Sequence, residues 1–125
     1  MSNYVRRLYN GMASTPLESL ATVAKQPFEE FRCGALKLMI SLAKYEWAQQ
    51  DMVVCPGYLE YLLDRRTEPE KSGKELKYEL IVELIHSTSS RQVFDVPYLL
   101  KLREYEREGP FFAKAQAAVA FEGAG

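Results

Sequence analysis

The sequence predicts an all-α chain of HEAT/armadillo-like helical repeats, a segment of an α-solenoid. Two observations predict it. First, a long amphipathic stretch twice runs into a short break and then into a tyrosine–leucine helix opened by proline. The two copies lie about 40 residues apart, and that period with two helices in each is the mark of HEAT and armadillo repeats. One copy is residues 35–43 followed by Pro56-Gly57-Tyr58-Leu59-Glu60-Tyr61-Leu62-Leu63; the other is residues 76–85 followed by Pro97-Tyr98-Leu99-Leu100-Lys101-Leu102. Gly57 has no counterpart in the second copy. Second, no useful run of alternating apolar and polar residues exists from which a strand would form. Repeats of this kind cannot bury their apolar stripes alone, so they stack and offer an extended face suited to holding a partner.

Each element has local signals. Ser2 or Asn3 caps a first helix over residues 4–9, and Asn10-Gly11 ends it. Thr15-Pro16 starts the next, with Glu18 completing a capping box and Leu17, Leu20 and Ala24 forming its stripe. It stops at Gln26, because Pro27 disfavours helical dihedrals in the preceding residue. The longest helix is expected over residues 28–44. Glu29 and Glu30 lie in its first turn, and Phe28, Phe31, Ala35, Leu38, Met39 and Leu42 face the core. Gly34 in its middle points to a close helix–helix approach. Residues 45–50 form a bent or separate turn with Trp47 inward, and Met52-Val53-Val54 carries the chain across to Pro56.

The Pro56 helix ends near Arg65, and residues 67–73 read as a polar, flexible surface connection. Helical periodicity resumes at Leu76, with Leu80, Ile81, Leu84 and Ile85. Ser87-Thr88-Ser89-Ser90 is a loop, a turn follows over residues 91–94, and the Pro97 helix runs to Glu108 before Gly109-Pro110 halts it. Residues 1–109 therefore form the repeat segment. Residues 110–125, rich in alanine and poor in charge, form a mostly flexible tail with Phe111-Phe112 laid over the last repeat.

Composition narrows the function classes. The 125 residues are 47% hydrophobic and 26% charged, with 16 basic and 17 acidic side chains and a net charge of -1. Without a basic stripe, electrostatic capture of nucleic acid or of an anionic membrane is not expected. No apolar run approaches the ~20 residues of a membrane span, and the start lacks a signal-peptide layout. Cys33 and Cys55 make no disulfide framework and no Cys-x-x-Cys pair, so they read as free thiols in a reducing compartment, the cytoplasm or also the nucleus.

No converging catalytic set is found, so no enzyme activity, small-molecule substrate, cofactor or metal is expected. His86 is the only histidine, at a helix end beside serines that are merely its sequence neighbours. One histidine and two distant cysteines are too few for a zinc site. The acidic pairs Glu29-Glu30, Glu68/Glu70 and Glu104/Glu106 sit among cations at helical spacing and read as solvated faces. The run of residues 87–90 could accept phosphate, but serine-rich loops are common and the signal is weak. Tyr9, Tyr45 and Tyr78 read as core residues with the hydroxyl reaching solvent. Tyr58, Tyr61, Tyr98 and Tyr105 lie on the second helix of each repeat; they either line a concave partner surface or pack between neighbouring repeats.

Several separated motifs then resemble, in order, the C-terminal part of the 26S proteasome non-ATPase regulatory subunit 5 family. They are Ala24-Lys25-Gln26-Pro27-Phe28, Cys33-Gly34-Ala35-Leu36-Lys37, Trp47-Ala48-Gln49, Pro56-Gly57, Glu60-Tyr61, Asp64-Arg65 and Lys77-Tyr78-Glu79-Leu80. The ending Glu108-Gly109-Pro110-Phe111-Phe112, with Val119 and Glu122-Gly123-Ala124, extends the match. The resemblance implies a C-terminal fragment of a longer HEAT/armadillo-like chain. It further implies an assembly chaperone of the 19S regulatory particle, which binds the C-terminal domain of a ring ATPase in the base and limits premature assembly. The contact residues expected under that reading are Tyr61, Arg65, Arg103 and Tyr105. The alternative is a generic HEAT-type scaffold segment of another cytosolic complex. Apolar surface at Leu8, Leu17 and Leu20 would give the truncated end a weak self-association.

Overall fold

A proline in the first turn and leucines one turn apart set the first described helix, α1 (Pro16–Ala24), whose Leu17, Leu20, Ala21 and Ala24 are all buried. In the computed structural model the described residues are 16–112; the helix expected over 4–9, the Thr15 cap and the tail beyond Phe112 lie outside them. The helices that follow are α2 (Glu29–Leu42), α3 (Glu46–Val54), α4 (Tyr58–Leu63), α5 (Lys71–His86), α6 (Ser90–Val93) and α7 (Val96–Glu108). A 3-10 turn, Arg65–Thr67, separates α4 from α5. The described residues are all-helical, with no strand among them.

The helices stack by equivalence. α2 packs on α5, α3 on α6 and α4 on α7, while α1 packs on α2 and α4. Each member of the first set therefore lies beside its counterpart about 40 residues later, an arrangement consistent with an α-solenoid. The seam is hydrogen-bonded at the same spacing. Tyr98 Oη donates to the Leu59 carbonyl at 2.7 Å, and Arg65 donates to the Gly109 carbonyl at 2.8 Å. Fully buried Gln49 on α3 donates to Ser87 Oγ at 2.8 Å and accepts from Ser89 Oγ at 2.7 Å. Leu36, Met39, Leu42, Met52, Leu62, Leu80, Ile81, Leu84 and Leu102 fill the space between the layers, each essentially inaccessible.

Left-handed backbone occurs at two glycines. Gly57 (φ 78°) turns the chain into α4, and Gly109 (φ 87°) ends α7 with its N–H on the Tyr105 and Glu106 carbonyls. At the other end of α7, Asp95 caps the helix by accepting from the Tyr98 amide at 2.8 Å.

Several expectations are corrected. The longest described helix is α5, of 16 residues, not the helix opened by Pro27, of 14. α5 starts at Lys71 because residues 67–73 are not a free connection: Glu68 is buried, and its carboxylate lies so close over Gly73 that a Cβ there would strike it. Gly73, rather than Gly34, is thus the close approach, since the space around Gly34 is open. Met52, Val53 and Val54 belong to α3 instead of a crossing segment. Trp47, as expected, packs inward against the core, half-buried and stacked on Tyr45 at 5.7 Å. Phe28, just before α2, and Phe31 and Leu38 on it are exposed, and Arg32 occupies the core-facing position beside Ala35, Leu36 and Met39. Leu17 and Leu20 are buried against neighbouring helices, so they offer no sticky end, and Leu8 lies outside the described residues.

A candidate protein-binding groove

The short helix α4 ends at Asp64, and this ending divides two adjacent arginines. Asp64 accepts from the Arg66 amide and from Arg66 Nε, each at 3.0 Å, which holds Arg66 on the outside. Those bonds and the Arg66 charge keep the Asp64 carboxyl below the usual carboxylate range. Arg65 turns the other way, towards the end of α7. Its guanidinium donates to the carbonyls of Gly109 (2.8 Å) and Tyr105 (3.1 Å) and to Glu108 Oε1 (3.3 Å). It also stacks 3.7 Å from the Tyr105 ring and 5.5 Å from that of Phe112. A cation on the last carbonyls of a helix satisfies groups that would otherwise lack partners and complements the helix dipole.

Beneath Arg65 lies a run of buried charge. Lys77 of α5 is 1% exposed and donates to Thr67 Oγ1 at 2.8 Å and to the Asp64 carbonyl at 3.2 Å, with Nζ 3.9 Å from the Tyr61 ring. Desolvation pulls its pKa down to about 7, against the opposing pull of Glu68. Burial pushes the Glu68 carboxyl up, although Lys77 and Arg32 face it. Arg32 meets Glu68 at 3.6 Å as an ion pair and donates to the Gln26 carbonyl at 2.8 Å and to Glu70 Oε1 at 2.6 Å. Burial likewise raises the phenols of Tyr61 and Tyr105, the latter to about 12.

Over this base runs a groove of about 740 Å³. Phe111 and Phe112, 53% and 39% exposed, form its apolar side, and Lys74, Lys101, Arg66 and Glu104 supply charge along it. Of the four expected contact residues, Arg65 and Tyr105 stack together between the layers, whereas Tyr61 packs under Lys77; Tyr61 is 3% and Tyr105 5% exposed. Tyr58 is buried too, and the Tyr98 hydroxyl is spent on Leu59, so these tyrosines pack between repeats. The Tyr78 hydroxyl also points inward, donating to the Glu106 carbonyl at 2.8 Å, instead of reaching solvent. Arg103 stands apart and exposed, beside His86, Ser87, Thr88 and Arg91.

Sequence reasoning missed Arg32, Glu68 and Lys77, and took Glu68 for a solvated residue. Its one available signal was a charged residue at a stripe position, as with Arg32 three residues before Ala35. His86 is exposed and pairs with Glu106 at 3.2 Å, while Ser90 is buried and Ser87 and Ser89 bind Gln49, which leaves Thr88 as the exposed hydroxyl of that loop. Cys33 and Cys55 are free and half-buried. Among the described residues no group of three or more His, Cys, Asp or Glu is placed to hold a metal ion, and no helix is long and apolar enough to cross a membrane.

Stacked helix layers with a charged and aromatic groove define a chain of the helical-repeat class. The particular family follows from comparison. The family model described as "Proteasome non-ATPase 26S subunit" matches residues 2–125, and the chain belongs to that family. It is 39% identical over 116 residues to the 26S proteasome non-ATPase regulatory subunit 5 of Bos taurus and to that of Homo sapiens, covering 93% of this chain and 23% of each relative. The Drosophila melanogaster protein of the same name is 26% identical over 96 residues, which is 77% of this chain and 18% of that one. The chain thus spans about a quarter of the length of the mammalian relatives it matches. No solved structure matches it.

Proposed function

We propose that this chain is a protein-binding module of an assembly chaperone for the base of the proteasome's 19S regulatory particle. In this reading it is non-catalytic, is built of HEAT/armadillo-like repeats and works in the cytoplasm and nucleus. It helps to hold a ring ATPase subunit so that the base does not assemble prematurely. Relatives named as a non-ATPase subunit of the 26S proteasome support the proteasome setting. The observation that carries the binding role is the groove beside α7, which two exposed phenylalanines line together with an arginine already fixed by its neighbours. Aromatic and arginine side chains held rigid before binding concentrate interface energy, because little freedom remains to be lost.

The four expected residues divide by role. Arg103 and the outer edge of Arg65 contact the partner, while Tyr105 holds Arg65 in place by stacking and Tyr61 packs against Lys77 beneath it. The test compares the full-length protein with a form lacking this C-terminal stretch, each mixed with purified base ATPases. Weaker retention by the shortened form supports the proposal. Equal retention, with equal delay of base assembly, contradicts it. Co-purification with a complex that contains no proteasome subunit would favour a scaffold role instead.

A further inference from the structure

We propose that the outer groove between α2 and α5 is a second docking surface, which takes a basic segment of a partner polypeptide through an arginine side chain. It rests on the reading of the chain as a protein-holding module, but uses none of the residues around Arg65. The starting observation is an unpartnered aromatic pair. Phe28 and Phe31 are 58% and 54% exposed and meet edge to face at 5.7 Å. Neither fills the core, whose positions on α2 are taken by Arg32, Ala35, Leu36, Met39 and Leu42. Phe28 caps α2 through its backbone carbonyl alone, which accepts from the Phe31 and Arg32 amides, so the start of the helix does not account for its ring either.

Phe28 forms one wall of a groove of about 780 Å³, and the rest of that groove states what would complement it. Glu29 and Glu30 of α2 face Glu70, Glu75 and Glu79 from the α5 side, with Lys37 as the lone cation on the lining. The nearby Arg32 is turned inward to Gln26 and Glu68, and only one of its nitrogens reaches Glu70. Ser72 donates to Glu29 at 2.8 Å. Glu30, Glu75 and Glu79 form no ion pair among the described residues. Net charge on the whole chain is only -1, so this concentration of carboxylates is local.

Charge complementarity selects the occupant. Carboxylates repel nucleic acid and anionic lipid, and no cluster among the described residues has the makings of a metal site. A guanidinium fits both features, since it stacks on an aromatic face and forks onto a carboxylate, and it sheds water more readily than an ammonium. A basic peptide lying along the groove would place one arginine against Phe28 and its neighbours against the glutamates of α5.

The test titrates the chain into a fluorescein-labelled peptide of alternating arginine and alanine and follows anisotropy. Matched peptides carry lysine or the neutral isostere citrulline. The expected order is arginine, then lysine, with citrulline unbound, and affinity falls as salt is raised through the range that screens surface charge. The double variant Glu75→Lys/Glu79→Lys and the single variant Phe28→Ala should each weaken arginine-peptide binding about tenfold or more. Lys101→Ala, in the other groove, should leave it unchanged. These side chains are exposed, and circular dichroism checks that the variants stay folded. No binding, equal binding in the variants, or equal binding of citrulline overturns the proposal. So does self-association of the chain through this groove, read by sedimentation of Phe28→Ala beside the parent sequence. Loss of ATPase retention with intact peptide selectivity would instead strike the proposed function alone.

Discussion

Arg65 joins two layers through one side chain, and its geometry makes it hard to replace. Its side chain is 14% exposed and makes three hydrogen bonds besides stacking on Tyr105. A hydrogen bond to a charged group contributes about 1.5–3 kcal/mol net, and several bonds made by one side chain do not add. Arg65→Ala is therefore expected to lower unfolding free energy by about 2–4 kcal/mol in urea titrations, and Arg65→Lys to recover under half of that, because an ammonium cannot fork or stack. Full recovery by lysine would mean that only the charge matters.

Lys77 has a different consequence, on pH. Its folded pKa, about 7, lies below the 10.5 of the free side chain, so between these values the unfolded chain holds a proton that the fold releases. Stability should accordingly rise with pH from about 7, by at most ~1.4 kcal/mol per unit. Cys55, raised above 9.0 by burial, and the raised tyrosines act in the opposite sense above pH 9, so the window to measure is pH 7 to 9. The expected result is a higher melting temperature at pH 9 than at pH 7, and a flat response over that interval in Lys77→Met. A flat response in the parent sequence contradicts the account. None of this was legible in advance. A buried lysine looks like any helical lysine until the chain 10 residues earlier is known to supply Thr67 as its acceptor.

At the scale of single elements, legibility follows how local the signal is. α7 was readable at both ends because Pro97 and Gly109 act within one turn. Asp95→Ala removes its cap and should cost about 1 kcal/mol, with faster amide exchange confined to the first turn. Unchanged exchange at Tyr98 would show that the cap bond is not holding that turn. α2 was misread on one face. Two phenylalanines resemble core residues in any single-chain pattern, whereas the burial of Arg32 depends on Glu68 and Glu70, which arrive from the next layer. The start of α5 was set too late for the same reason, since Glu68 over Gly73 is a contact between segments and not a propensity. At the groove, Arg65 and Tyr105 stood out in the sequence by residue type alone, but their burial as a unit depends on the end of α7 reaching them.

For the whole molecule, the repeat spacing carried the most information, because stacking turns a sequence period into spatial adjacency. Hydrogen bonds between residues 38 to 44 positions apart recur across the seam, as in Gln49 to Ser87 and Arg65 to Gly109. Leu84, wholly inaccessible, tests the packing of that seam: Leu84→Ala should cost about 2–5 kcal/mol in urea denaturation. A loss under about 0.5 kcal/mol would place it outside the shared core. The partner was not legible from spacing, because a groove states the chemistry it accepts and not the protein that provides it. The direct measurement is photo-crosslinking in a cell extract, using the full-length protein with a benzoylphenylalanine in place of Phe111. The account predicts an adduct with an ATPase subunit of the proteasome regulatory particle; adducts only with unrelated proteins, or none while the protein still retains those ATPases, would contradict it.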